Sequence, residues 1–184
     1  MVATAQLNLI LSSCGYVPLR SSVDCIIVRH INGMTICASE AAMFLAHLIH
    51  ESDGFQRRSE QSSEINKGSG GRYYGRGYLM LTQDYNYRAA SLTIFGDERL
   101  LETPDIVSDS EDMSMRVSVW FWENYVRPAG GPSKNNFGLT TKMIACPLKP
   151  SCNEVVRKMY NYYLVAARIL GVRNLAVEQR NWNE

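Results

Sequence analysis

Glu51 ends an apolar run, residues 44–49, and the spacing of the run predicts chemistry for its carboxyl. Glu51 lies seven residues after Phe44 and three after Leu48, so on a helix these three side chains share one face. Burial and the negative end of the helix dipole both favour a protonated carboxyl at that place. From this run alone a solvated residue just beyond a core helix is the favoured interpretation, and a general acid at Glu51 is the alternative that the following residues support.

The residues that flank the run set the limits of the helix that must position this acid. Ser39 is predicted to cap the first turn, because its hydroxyl can accept from a backbone amide. Gly54 is predicted to follow the last turn in the left-handed conformation. We therefore expect a helix over residues 39–52 with one buried face, formed by Ala41, Phe44, Leu45 and Leu48.

A polar segment, residues 52–72, follows this helix and contains two further carboxylates, Glu60 and Glu64. The stretch after it, residues 72–87, is rich in tyrosine and includes Asn86. Flat aromatic faces and amide groups are suited to binding sugar rings.

Two glycines in that stretch, Gly75 and Gly77, flank Arg76. This arrangement indicates a backbone that bends tightly and is approached closely by other groups. We expect residues 76–82 to form a short strand or an extended wall of a cleft.

The rest of the chain has mainly helical patterns. Residues 16–38 are compatible with a strand or a buried helix. The capping box from Ser108 to Glu111 is predicted to open a core helix, Asp109–Val126, in which Trp120 packs inside. The other predicted elements are helices over 4–13, Arg88–Phe95, 138–145 and 153–170, glycine stops at Gly96 and Gly171, and a polar tail over 173–184.

Length and composition favour one soluble domain over residues 1–184, with 46% hydrophobic and 20% charged residues. A net charge of +1 gives no reason to expect nucleic acid or an anionic membrane as a partner. No apolar run reaches the length of a membrane span, and Leu7–Leu11 is too short for a signal sequence. We expect a monomer, in a mature or trimmed form, that uses no metal or cofactor.

The cysteine count is odd, so at least one thiol is free or pairs between chains. Cys146 and Cys152 bracket a short proline-containing loop and form the best local disulfide candidate. Their spacing, without nearby histidine or further cysteine, argues against a zinc site. The remaining cysteines are Cys14, Cys25 and Cys37.

Several short motifs, in order along the chain, resemble the family 19 chitinases. His50-Glu51-Ser52 matches H-E-[ST], residues 73–77 match Y-[YF]-G-R-G, and Tyr85-Asn86-Tyr87 matches the end of N-Y-N-Y. Residues 104–107 and 119–122 are similar to N-P-D-L-V and to the W-F-W core helix of the family. Several motifs in fixed order are more specific than any one of them. The resemblance implies a mainly α, lysozyme-like, two-lobed helical domain with a substrate cleft and a small β or extended segment.

The chemistry that the resemblance implies is endo-hydrolysis of β-1,4-linked N-acetylglucosamine polymers with inversion. Inversion needs one protonated carboxyl over the leaving oxygen and one carboxylate that activates water on the opposite face. The resemblance assigns these roles to Glu51 and Glu60, with Glu64 as the rival base. Thr82 replaces the serine that helps to hold the water.

The substrate contacts come from the same resemblance, which implies chitin or chitin oligosaccharides as the partner. It gives an extracellular location, secreted or in a cell wall. The residues that it places against the sugars are His50, Tyr74, Arg76, Tyr85 and Asn86.

Two departures from the family pattern leave other functions open. Met80 replaces a glutamine that contacts the sugar, and residues 143–147 replace the I-N-G segment that carries a sugar-binding asparagine. One alternative is a lysozyme-like hydrolase of peptidoglycan. Binding of that substrate would favour a more cationic cleft than a net charge of +1 guarantees. The other is a catalytically silent chitin-binding or wall protein. The joint presence of Glu51, Glu60 and Thr82 argues against the silent form, and the altered segment argues for it.

Overall fold

Helices form most of the described part of the chain, where extended pieces meet through isolated bridges. A computed structural model describes residues 1–35, 37–60, 71–144 and 153–178. Two single turns of 3-10 helix, Gly71–Tyr73 and Pro104–Ser108, and a π-helical turn, Trp122–Val126, add to the α-helices. The α-helices are α1 (Thr4–Ser13), α2 (Ser21–Met34), α3 (Ala38–Glu51), α4 (Asp84–Phe95), α5 (Arg99–Glu102), α6 (Glu111–Phe121), α7 (Phe137–Ile144) and α8 (Asn153–Ile169).

Helix α3, which carries Glu51, is buried on every side. All residues from Glu40 to Ile49 are buried, so the prediction of one buried face was too narrow. The apolar run has polar side chains only at its two ends and at His47, and this composition suits a helix enclosed by its neighbours. The most extensive contacts of α3 are with α8.

The start of α3 differs from the prediction. Cys37 occupies the capping position and makes no side-chain cap. Ser39 was wrongly predicted as the cap, because it already lies in the first turn and donates instead to Asn135 Oδ1 at 3.2 Å. Glu40 anchors this end of the helix. Its buried carboxylate accepts from Trp122 Nε1 at 3.1 Å and from Arg127 Nε at 2.7 Å.

Two hydrophobic cores divide the molecule into two lobes. The larger core gathers side chains from α1, α2, α3 and α8. The smaller core is built from α4, α5, the 3-10 turn at Pro104 and part of α6. Helix α6 contributes to both, with Met115 in the larger core and Val117 and Trp120 in the smaller one. The prediction that Trp120 packs inside is confirmed, since its side chain is 5% exposed.

Most predicted helices are confirmed, with differences at both ends; α6, for example, changes after Phe121 into the π-helical turn that reaches the predicted end at Val126. The uncertain segment 16–38 contains helix α2, so the strand alternative was wrong. Helix α4 begins four residues before the predicted Arg88, at Asp84. Helix α6 is capped by Ser110, which accepts from the Met113 amide at 3.1 Å, and not by Ser108. The reason is that Pro104 begins a 3-10 turn that runs through Ser108.

The segment after α8 was predicted to be a polar tail, and this was wrong for its central part. Ala176 is 1% exposed, and its amide donates to Tyr163 Oη at 2.7 Å. Val177 pairs with the start of α7, where its carbonyl accepts from the Phe137 amide at 3.0 Å. The small side chain of Ala176 fits against the tyrosines of α8, and the tail therefore docks onto the larger lobe.

Gly54 follows the end of α3 in the left-handed conformation, as predicted. Neighbouring groups leave no room for a side chain at this position. Gly54 has φ +67°, and its amide donates to Ile49 O at 2.8 Å. A Cβ at this position would lie 2.4 Å from the ring of Tyr16. Gly15 is also left-handed, at φ +87°, but has nothing within 4 Å of its Cβ position.

We predict that Gly54→Ala destabilises the protein more than Gly15→Ala does. Gly15→Ala should cost about 1–2 kcal/mol, which is the strain of a left-handed residue with a Cβ. Gly54→Ala should cost a further 1–3 kcal/mol or so, because the methyl group overlaps a packed ring. Urea unfolding of both variants measures the difference. Equal losses would mean that Tyr16 moves aside freely.

Candidate active site

The carboxyl of Glu51 lies in the last turn of α3, where little water reaches it. Burial raises its pKa to about 7, and the negative charge of Glu60 adds to the rise. The guanidinium of Arg57 opposes both by lowering the pKa. A carboxyl in this state is protonated in a large fraction of molecules near neutral pH, which is the condition that a general acid requires.

The chain turns sharply after Glu51 around a buried hydroxyl. Ser52 is fully buried, donates to Leu48 O at 2.6 Å and accepts from the Phe55 amide at 2.8 Å. Asp53 and Phe55 both have positive φ, as does the glycine between them. This tight turn directs the following residues back toward Glu51.

Backbone hydrogen bonds between residues 58–60 and residues 75–77 fix the position of Glu60. Its amide donates to Gly75 O at 2.9 Å, and the Gly77 amide donates to Arg58 O at 2.9 Å. Residues 76 and 81 pair in turn, with Leu81 N donating to Arg76 O at 2.7 Å. The predicted extended segment is thus present as three short pieces joined by single bridges. These pieces bring Glu60 within electrostatic range of Glu51.

A groove of about 280 Å³ contains three of the predicted site residues, Thr82, Tyr85 and Asn86. Tyr85 is 64% exposed, and Asn86 Nδ2 donates to Thr82 O at 2.9 Å. Apolar side chains complete the lining, among them Met80, Phe121, Tyr125 and Met143. Met80 and Met143 belong to the two stretches that depart from the family pattern, so both departures meet in this groove.

Arg76 was predicted to contact substrate, and the structure places its side chain inside the protein. The residue is 3% exposed, and its Nε and Nη2 donate to Asp105 Oδ1 at 2.9 and 2.6 Å. Nη1 donates to Tyr87 Oη at 3.1 Å and to the carbonyl of Arg72 at 3.1 Å. Its guanidinium lies 3.6 Å from the ring centre of Tyr74, which covers it. Every guanidinium nitrogen is bound within the protein, so Arg76 supports the stretch around it.

His50, also predicted to contact substrate, packs beside Tyr162 of α8, with ring centres 6.5 Å apart. Burial lowers the pKa of its imidazole, Lys158 adds to this effect, and Asp53 opposes it. The ring is therefore neutral at neutral pH. Its position between α3 and α8 gives it a packing role in addition to any contact with a ligand.

The sequence analysis did not predict a role for Arg57, whose positive charge lowers the pKa of Glu51. Its backbone amide donates to Ser52 O at 2.8 Å, so the turn after α3 fixes its position. The signal in the sequence was a pair of arginines soon after the acid. The second of them, Arg58, forms an ion pair with Glu111 at 3.0 Å.

Several predictions fall outside the described residues. These concern Glu64 as the rival base, the pair Cys146 and Cys152, and most of the altered segment 143–147. Within the part of the chain that the structure covers, no three His, Cys, Asp or Glu side chains group as a metal ion requires. No helix among those same residues is long and apolar enough to span a membrane.

Comparison with known proteins identifies the relatives of this chain. The family model described as chitinase class I matches residues 29–170. An endochitinase of Arabidopsis thaliana is 34% identical over 150 residues, which cover 75% of this chain and 50% of the relative. Chitinase 8 of Oryza sativa subsp. japonica is 32% identical over 125 residues, or 64% of this chain and 40% of the relative. The chain thus spans half the length, or less, of these curated relatives.

Solved structures give the same result for the fold. A bacterial family 19 chitinase superposes with a TM-score of 0.75 at 23% identity, covering 97% of this chain and 98% of that one. A class IV chitinase of family 19 from Zea mays superposes with a TM-score of 0.70 at 25% identity, covering 93% of each chain. The family resemblance and the mainly helical, lysozyme-like fold are both confirmed.

We predict that Glu51→Gln stabilises the protein at neutral and alkaline pH. A folded-state pKa of about 7, against an ordinary value of 4.5, means that wild-type stability falls as pH rises from 4.5 through 7. Gln removes this loss, so the variant should gain up to about 3 kcal/mol above pH 7 and nothing below pH 4 or so. Urea unfolding across this pH range measures the difference. A variant that is less stable at every pH would contradict the burial argument.

We predict that Arg76→Ala costs about 3 kcal/mol or more, because it removes a buried cation with partners on several segments. Arg99→Ala is the matched control. Arg99 also binds an aspartate through two nitrogens, but that pair is exposed to solvent and should contribute little to stability. Thermal or urea unfolding compares the two. A stable Arg76→Ala variant with weakened sugar binding would restore the substrate-contact role.

Proposed function

The chain belongs to the class I chitinase family, and from that premise we propose that it hydrolyses chitin internally with inversion. The substrate would be β-1,4-linked N-acetylglucosamine polymers and their oligosaccharides. The observation that carries the proposal is the position of the Glu51 carboxyl, which lies at the end of an enclosed helix and within electrostatic range of Glu60. Family membership supplies the substrate class, and the carboxyl pair supplies the chemistry.

In this proposal Glu51 is the general acid. Its protonated carboxyl donates to the glycosidic oxygen as the bond to the leaving sugar breaks. Burial supports this role, because it keeps the proton on the carboxyl until the leaving oxygen needs it. Arg57 limits how far the pKa rises, so that the acid can still release its proton near neutral pH.

Glu60 is the proposed general base, which takes a proton from the attacking water. Its pairing with Gly75 supports this role, because a base on a freely moving loop would hold the water poorly. The hydroxyl of Thr82 would orient the same water. Inversion requires the two carboxyl groups to be about 6.5–9.5 Å apart, so that water fits between sugar and base.

The proposed sugar contacts are the exposed ring of Tyr85 and the amide of Asn86, which line one groove with Thr82. The methionines in that groove would meet the apolar faces of the pyranose rings. We propose that the chain acts as one catalytic domain, because α6 contributes to both hydrophobic cores, and that this domain acts as a monomer. An extracellular or cell-wall location suits a polymer that cells deposit outside.

We predict that Glu60→Ala lowers chitin-oligomer hydrolysis by about 10²–10⁴-fold, the usual contribution of a positioned acid or base. Folding should hardly change, because the side chain adds little to either core. Thr82→Ala should lose less activity than Glu60→Ala, since the hydroxyl orients water without taking its proton. Thr82→Ser should have nearly wild-type activity. Steady-state hydrolysis of chitin hexamer compares the three variants.

The anomer of the first product reports the mechanism. NMR spectra taken during early turnover should show the α-anomer from a β-linked substrate. A β-anomer would contradict inversion. If the unmodified protein binds chitin oligomers but hydrolyses none between about pH 4 and 8, the silent-scaffold alternative holds. Release of sugars from peptidoglycan but not from chitin would establish the other alternative.

A further inference from the structure

Gly75 is a glycine whose backbone does not require one. Its φ lies outside the left-handed region, in contrast to Gly77 at φ +76°. A left-handed backbone therefore does not explain the glycine at position 75. The absence of a side chain at this position must therefore be explained by the space around it.

That space is occupied by the side chain of Glu60. A Cβ at position 75 would lie 2.9 Å from Glu60 Oε1 and 3.0 Å from both Cδ and Cγ of the same residue. These distances are shorter than a methyl group and a carboxylate tolerate. Glu60 thus rests directly on the bare backbone of Gly75, and its amide also donates to Gly75 O at 2.9 Å.

We propose that Gly75 is a positioning residue for Glu60, the general base of the proposed function on which this inference rests. The missing side chain provides the surface on which the Glu60 carboxylate lies, and the backbone hydrogen bond sets where its side chain begins. Gly75 itself touches neither substrate nor water in this role. It acts only through Glu60.

The neighbours of Gly75 prevent the backbone from moving aside for a larger residue. The buried guanidinium of Arg76 donates to the carbonyls of Arg72 and Tyr74 and to Asp105. Tyr87 Oη donates to the carbonyl of Tyr74 at 2.7 Å. A methyl group at position 75 would therefore displace Glu60, whose side chain is flexible, and leave residues 74–76 in place.

The test is Gly75→Ala, which should fold normally because only a mobile side chain has to shift. We expect kcat on chitin hexamer to fall about 10²-fold, the loss that a displacement of about 1 Å causes in a positioned group. KM should change little, because the residues of the groove are untouched. Gly33→Ala is the matched control. Gly33 is also outside the left-handed region and has nothing within 4 Å of its Cβ position. A wild-type kcat in both variants would overturn the proposal.

A double-mutant cycle separates positioning from general damage. Glu60→Ala alone should lower kcat, because it removes the proposed base. In that background Gly75→Ala should cost little more, since residue 60 then has no Cγ, Cδ or Oε1 for the added methyl group to meet. If the two substitutions lower kcat independently, so that their fold-losses multiply in the double variant, the proposal is overturned.

A second readout distinguishes failure of this inference from failure of the proposed function. The ¹³C carboxyl signal of Glu60 should shift in Gly75→Ala and stay unchanged in Gly33→Ala, whatever the activity. Full activity of Glu60→Ala would reject the proposed base itself. A large loss in Glu60→Ala, with an unshifted Glu60 signal and wild-type kcat in Gly75→Ala, would reject only the positioning role.

Discussion

The burial of one carboxyl at the end of a fully enclosed helix is the constraint on which the site depends. Helix α3 is surrounded by protein from Glu40 to Ile49, so its last residue emerges where little water can reach it. The resulting penalty on the charged form keeps Glu51 protonated to about pH 7. A helix with one solvated face would end in water, and its carboxyl would ionise at an ordinary pH.

The second carboxyl group depends on a different construction. Three short extended pieces meet through single bridges, and the buried guanidinium of Arg76 fastens the middle piece to Asp105 and to nearby carbonyls. Tyr74 and Tyr87 cover this cation. The arrangement gives Glu60 a defined place although it belongs to a polar segment. The larger core thus shields the carboxyl of Glu51 from water, and the bridged segment fixes the position of Glu60.

The helix that ends on Glu51 and the family could be predicted from the sequence, because these leave local signals. The apolar run gives α3, and Gly54 has the positive φ that was predicted for it. Long-range contacts gave no such signal. Ser39 pairs with distant Asn135, and Arg76 turns inward to Asp105, since tertiary partners decide which polar groups face water. The role of Gly75 could be read only from the approach of Glu60 in the folded chain.

The central claim, that burial keeps Glu51 protonated, is tested most directly by a ¹³C NMR titration of its side-chain carboxyl. Glu51→Gln assigns the signal, and Glu60→Gln removes the neighbouring charge that adds to the rise. The account predicts a midpoint near 7 in the unmodified protein and a lower midpoint in Glu60→Gln. A midpoint at the ordinary value of 4.5, unchanged by Glu60→Gln, would contradict it.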